Sequence, residues 1–160
     1  MIEHLFFGTI FLIAPNTWMT ADHVLNAPWV KYHANYYDVV EEERNELYDL
    51  ATFEKESTET PLNIECRNVK IGEELTIKGY PFIDGQYQYE ELTGNVMAVD
   101  YQAYEGRNSI VVDIPVMGGF SGSPAIDKDG DVIGVVTDRT VEGEHYGFIS
   151  SVCELDNIKK

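Results

Sequence analysis

A hydroxyl, an imidazole, a buried carboxylate and two N–H groups converging on one point suffice for acyl transfer by serine. The sequence offers a candidate for each. The stretch GGFSGSPAID, residues 118–127, sets Ser121 among glycines. Gly119 lets the backbone turn its N–H groups inward, and Gly122 leaves space beside the hydroxyl. The N–H groups of Gly119 and Ser121 would then share one target, the place where an oxyanion forms. The motif is not the G-x-S-x-G elbow, because Ser123 stands where the last glycine belongs and the flanks read as strands.

His23, in WMTADHVLNA, follows an apolar strand and a small-residue turn, whereas His4, His33 and His145 sit in less informative surroundings. The plainer reading of His23 is a partly buried histidine bonded to a backbone carbonyl. For the carboxylate, Asp49 in LYDLATFE enters an apolar strand where a solvated charge is out of place, with Asp38 in NYYDVV as the fallback. A buried acid bonded to the imidazole N–H would hold the tautomer whose other nitrogen accepts the serine proton.

These residues need a scaffold of short strands. GTIFLIA, YYDVVEEE, LYDLATFEK, ELTIKGY, TGNVMAVDY, NSIVVDIP, SPAIDKDG, DVIGVVTD and HYGFIS recur at the spacing expected of all-β sandwiches or barrels. Asp129-Gly130 in DKDGDV predicts a hairpin turn. A helical period shows only in SVCELDNIKK, where Val152, Leu155 and Ile158 share a face. The polar stretch ESTETPLNIECRN, residues 56–68, reads as a linker between unequal halves. DKDGD resembles the start of a calcium loop, but Val132 replaces the required glycine and Asp138 the bidentate glutamate. No metal and no cofactor are expected.

The chain has 160 residues, enough for one ordinary domain or for two small units sharing a cleft. Its formal charge of −17 repels phosphate backbones and favours basic partners, which argues against nucleic-acid binding. The acidic run EEERNE, residues 41–46, reads as a solvated edge. Cys66 and Cys153 read as two free thiols in a reducing compartment. The apolar run LFFGTIFLIA is too short to span a bilayer and reads as a buried strand rather than a signal-peptide core, so a cytoplasmic protein without membrane association is expected.

Together the segments resemble the trypsin-like, chymotrypsin-fold serine proteases, most closely their Htr-type and glutamyl-endopeptidase branches. GTIFLIAPNTWMTADHV resembles the block that ends in the catalytic histidine, YDLATFEKE the block that carries the aspartate, and GGFSGSPAIDKDGDVIGVVTD the nucleophile block. KIGEELTIKGYP with LTGNV resembles the segment that opens the second barrel. The resemblance covers nearly the whole chain and implies an all-β fold of two packed six-stranded antiparallel barrels with a short C-terminal helix. It divides the chain at 1–62, carrying His23 and Asp49, and 63–160, carrying Ser121, together one protease domain. It implies His23, Asp49 and Ser121 as the triad, Gly119 and Ser121 as the oxyanion donors, and a serine endopeptidase acting on proteins or peptides through an acyl-enzyme.

Phe120 precedes the nucleophile where digestive members have an acid, so activation by N-terminal cleavage is not expected. Asp22 stands beside His23, where its charge would raise the imidazole pKa if the side chain turned inward. The resemblance places the specificity walls near residues 115–118, 137–139 and 145–147, with Thr137, Asp138 and Arg139 as substrate-binding residues. Thr137 stands where glutamyl-specific members place a histidine, Asp138 would favour a basic residue and Arg139 an acidic one, which leaves specificity open. The other readings are a catalytically silent acidic module that binds a basic or DNA-binding protein, and an esterase using the same triad. The sequence leaves the oligomeric state unspecified.

Overall fold

A computed structural model describes residues 1–26, 40–139 and 146–154. The apolar run near the N-terminus folds into a hairpin of β1 (Ile2–Leu5) and β2 (Gly8–Ala14). β2 is apolar on both sides because both of its faces are covered. Ile10 and Leu12 pack with Leu5, Trp18 and Phe53, while Phe11 points the other way, towards Met19, Leu50, Val132 and Val135. Most of the run is thus strand, buried over Gly8–Leu12 as its composition predicts, while Phe6 and Phe7 form the turn of the hairpin.

β3 (Thr17–Thr20), a five-residue helix α1 (Asp22–Asn26), β4 (Val40–Asn45) and β5 (Leu50–Glu54) complete the first half. Its sheet runs β1-β2-β3-β5-β4. Among the described residues it therefore has five strands, where the family resemblance implies a six-stranded barrel. The EEERNE run lies along the edge strand β4 and the turn after it.

The second half begins with β6 (Glu74–Gly79), whose Leu75 and Ile77 alternate inward from a more exposed face. A small hairpin of β7 (Phe82–Ile83) and β8 (Gln86–Tyr87) follows, then the long β9 (Glu90–Tyr104) and β10 (Arg107–Val112). β11 (Pro124–Ile126), β12 (Val132–Arg139) and β13 (Gly147–Ser151) close a six-stranded barrel in the order β10-β13-β12-β11-β6-β9. The Asp129-Gly130 turn joins β11 to β12, with Gly130 at φ +86°. Asp127 Oδ1 braces it by accepting the N–H groups of Asp129 and Asp131 at 2.9 and 3.0 Å.

The C-terminal helix is reduced, among the described residues, to one 3₁₀ turn at Val152–Glu154. Leu155 and Ile158, the other members of its expected apolar face, lie outside the described residues.

The halves meet through a shared cluster: Phe11, Met19 and Leu50 from the first sheet against Ile126, Val132, Val135 and Val152 from the second. Each such side chain, buried from water, stabilises the fold by roughly 1.5–3 kcal/mol. No described helix is long and apolar enough to cross a membrane.

Two expectations are corrected. Cys66 and Cys153 are not free thiols but a disulfide, Cα–Cα 4.7 Å. The supposed linker explains why they meet. Ile64 forms a parallel bridge with Val132, and Glu65 N–H donates to the Val132 carbonyl at 2.9 Å, which straps residues 63–65 onto β12 beside the C-terminal turn. Arg67 continues the strap, bonding Asp127 at 3.0 Å and Glu73 through both carboxylate oxygens. Hence the second part of residues 56–68 is a fixed element of the barrel wall.

The disulfide closes a sequence separation of 87 residues, and a native bridge typically stabilises a fold by about 2–4 kcal/mol, mainly by constraining the unfolded chain. Reduction, or Cys66→Ser with Cys153→Ser, should therefore lower Tm by roughly 4–16 °C in a thermal melt. An unchanged Tm would mean that the strap is held by its hydrogen bonds and Arg67 alone.

Candidate active site

β3 ends at Thr20 and the chain turns at once into α1, too short for the helical period to show in the sequence. Asp22 opens its first turn, where a carboxylate suits the helix dipole. This turn presents His23 to Asp49. His23 Nδ1 lies 2.5 Å from Asp49 Oδ2, and the backbone N–H of His23 donates to Oδ1 at 2.8 Å. Asp49 thus grips both the ring and the backbone of the histidine. With Nδ1 engaged as the donor, Nε2 is the nitrogen left to accept a proton.

Asp49 is held in a left-handed conformation, φ +57°, and its carbonyl accepts the N–H of Asp22 at 3.0 Å. A non-glycine residue at such a φ carries a strain of order 1–3 kcal/mol, sustained by these surrounding bonds. Its side chain is 9% exposed and that of His23 42%, so the acid is buried and the base reaches the surface. The fallback acid, Asp38, lies outside the described residues, as do His33 and His145. His4 stacks on Tyr87 with ring centroids 4.1 Å apart.

Burial alone would pull the His23 pKa down. The Asp49 hydrogen bond and charge, with the charges of Asp138 and Asp22, outweigh it and hold the imidazole above its ordinary 6.5. Asp22 is buried, as an inward turn requires, and its carboxylate pairs with Arg44 at 3.1 Å.

The Ser121 loop is tied to β2 through Thr9. The Thr9 N–H donates to the Ser121 carbonyl and its hydroxyl to the Gly119 carbonyl, both at 2.8 Å. The same hydroxyl accepts the Tyr80 N–H at 3.0 Å, and the Thr20 hydroxyl donates to the Thr9 carbonyl at 2.8 Å. Gly122, at φ +90°, lies so close that a Cβ would overlap the Thr9 carbonyl oxygen and the Thr20 hydroxyl. At Gly8 a Cβ would meet Val24 at 2.6 Å and the Ser121 carbonyl at 2.9 Å, which places the backbone of Ser121 against the residue that follows His23. The histidine, its acid and the serine loop are therefore gathered at one seam.

Gly119, at φ +98°, packs on the backbone of residues 80–82. The Gly118 carbonyl accepts the Phe82 N–H at 2.7 Å, which turns the Gly118–Gly119 peptide so that its N–H faces away from that hairpin. Among the described residues neither the Gly119 nor the Ser121 N–H donates a hydrogen bond. Phe120 is fully buried in the core of the second barrel, which anchors the loop from beneath.

Ser121 Oγ is turned to the Thr137 carbonyl at 3.5 Å, and among the described residues no hydrogen bond joins it to His23. Thr137 is itself buried, its hydroxyl directed to the Phe148 carbonyl at 3.4 Å. Asp138 pairs with Arg107 at 3.0 Å and lines the same open cavity as His23 and Asp49. The side chain of Arg139 lies outside the described residues. Two of the expected specificity segments do meet, since a Cβ at Gly147 would overlap Val116.

Sequence reasoning missed Thr9 and Thr20. The signal was present: two hydroxyls inside otherwise apolar strands must find partners when buried. Arg107, after a glycine turn, gave no such signal.

As for metals, Glu65, Asp127 and Asp131 bring ligand atoms within 4.8 Å of one another. The Asp127 oxygens already serve two backbone N–H groups and Arg67, and a hydrogen bond with Asp131 raises the Glu65 pKa. These contacts make the group a brace for the hairpin.

No curated protein sequence matches the chain. Among solved structures it is similar to the active form of the Rv3671c protease from M. tuberculosis, at 22% identity over 94% of this chain and 71% of that one, TM-score 0.75. It is also similar to the HtrA-type protease AlgW in complex with a tripeptide, at 16% identity over 95% of this chain, TM-score 0.77. The serine endoprotease from Yersinia pestis aligns at 20% identity over 95% of this chain, TM-score 0.71. The chain spans 54% of the AlgW chain and 56% of the Yersinia one. At these identities the likeness carries the fold. A family model reaches further: the trypsin-like peptidase domain matches residues 8–135, from the start of β2 into β12 and across the seam where His23, Asp49 and Ser121 are gathered, and the chain belongs to that family.

Proposed function

We propose that this protein is a serine endopeptidase in which Ser121 is the nucleophile, His23 the general base and then acid, and Asp49 the residue that orients the imidazole. The observation that carries the reading is the double grip of Asp49 on His23. It selects the tautomer that leaves Nε2 free, and a buried acid in a left-handed backbone conformation has little structural reason to be there otherwise.

In the reaction the Ser121 hydroxyl leaves the Thr137 carbonyl and gives its proton to Nε2 as Oγ attacks the scissile carbonyl. Such bonds often tighten only when substrate is present. The resulting oxyanion is met by the Gly119 and Ser121 N–H groups, which have no other partner among the described residues. Collapse expels the amine, protonated by His23, and leaves an acyl-enzyme. Water, deprotonated by His23, then releases the acid.

Net charge favours basic substrates, while Thr137, Asp138 and Arg139 stay the proposed substrate-binding residues. The −17 charge steers basic segments to the surface, an effect that salt weakens. A disulfide suits an oxidising compartment, which speaks against the reducing one expected from two free thiols.

Ser121→Ala and His23→Ala should each abolish turnover of a mixed peptide library, and Asp49→Asn should lower kcat by on the order of 10⁴. Turnover that survived Ser121→Ala would overturn the mechanism. Cleavage of small esters but not of peptides would reassign the chain to the esterases. The absence of both, with salt-sensitive capture of a basic protein, would mark it as an acidic binding module.

Because the base must be neutral and its pKa is held up, kcat/KM should rise with pH through a midpoint above 6.5. A midpoint below that value, read from a pH profile, would show that desolvation and not Asp49 governs His23.

A further inference from the structure

The turn that delivers Asp49 belongs to the first half of the molecule, yet the second half holds it. Arg107, at the start of β10, donates from Nε to the Leu47 carbonyl at 2.5 Å and from Nη1 to Asp138 Oδ2 on β12 at 3.0 Å. Its guanidinium lies over the Tyr104 ring, 4.6 Å from the centroid. The side chain is 11% exposed, so this cation is enclosed by its three partners. The Ser150 hydroxyl, on β13, donates to the next carbonyl, that of Tyr48, at 2.5 Å. Two successive carbonyls immediately before the acid are thus bonded from the opposite barrel. The hairpin between β9 and β10 is the reach that makes this possible, with Gly106 lying against the Leu47 side chain.

We propose that Arg107, held in place by Asp138, is a positioning residue that fixes Asp49 against His23 from across the seam between the two halves. This rests on the triad reading above, but concerns residues outside the triad. A guanidinium suits the task because its rigid fork can serve two acceptors in different directions, whereas an ammonium offers charge without that geometry.

The electrostatics fit. Burial raises the Asp138 pKa, Asp49 adds to the rise, and Arg107 and His23 oppose it, so the Arg107 charge helps keep the second carboxylate ionised beside the base. The groups facing His23 are Asp22 from α1, Asp49, and Asp138 from β12. Arg44, Glu46, Tyr104 and Arg107 line the same cavity.

The test follows three readouts in the intact protein: the downfield proton resonance of His23 Nδ1–H, the His23 titration midpoint and the kcat–KM split on peptide substrate. Arg107→Ala should broaden or shift the resonance and lower kcat by roughly 10- to 100-fold with KM within about twofold. Arg107→Lys should restore neither, because charge without the fork is insufficient. Asp138→Asn, nearly isosteric and therefore informative if Arg107→Ala does not fold, should lower the His23 titration midpoint, since both the lost charge and a looser Asp49 act in that direction.

Full rescue by Arg107→Lys would overturn the positioning role, as would an unmoved resonance in folded Arg107→Ala protein. An unshifted midpoint in Asp138→Asn would do the same. The resonance needs no turnover. If native protein hydrolyses nothing while the resonance responds as stated, the protease reading fails and the clamp stands.

Discussion

The proposed site depends on one constraint: His23 and Asp49 belong to one half of the molecule and Ser121 to the other, and the seam between those halves must not slip. Thr9 is where this is enforced most directly. Its N–H and hydroxyl hold the carbonyls of Ser121 and Gly119, and its own carbonyl is held by Thr20 from the strand leading to His23. A shift of an ångström here would separate the proposed base from the proposed nucleophile, and misplacement on that scale costs about two orders of magnitude in rate. Apolar packing of Phe11, Met19 and Leu50 on Ile126, Val132 and Val135 supplies the cohesion. The hydrogen bonds supply the register, because burial is non-directional and they are not.

Around that seam the structure applies holds from several directions. The disulfide and the Ile64–Val132 bridge fasten the connecting segment to the second barrel, and Arg107 and Ser150 reach back to the turn before Asp49. Glycine is required on both sides of the Ser121 loop. Gly122 has no room for a side chain against Thr9 and Thr20 of the first half, nor Gly119 against residues 80–82 of its own half. Burial makes each hold stronger and each unpaired group more costly.

Much of this was legible in the residues. Strand alternation in ELTIKGY, the Asp129-Gly130 turn and the apolar run of β2 follow from period and turn chemistry, and the structure has them. Asp49 could be named as an acid entering an apolar strand and Ser121 as a hydroxyl between glycines, whereas His23 stood out chiefly because its block resembles that of the trypsin-like proteases. Long-range pairing was not legible. Nothing local in Cys66 and Cys153 says that they meet, since the Ile64–Val132 bridge that lays the connecting segment on β12 couples residues far apart in sequence. α1 was missed because five residues are too few to show a helical period, and the first sheet has one strand fewer among the described residues than the resemblance implies. Arg107 was invisible because its meaning lies in Leu47 and Asp138, which only the fold brings to it.

The most direct measurement of whether this seam activates a nucleophile is intact mass after exposure of the native protein to a fluorophosphonate, beside Ser121→Ala. The account expects a single adduct on the native chain, formed faster as pH rises through the His23 titration, and none on the variant. An unmodified native protein, or an adduct that persists without Ser121, would contradict it.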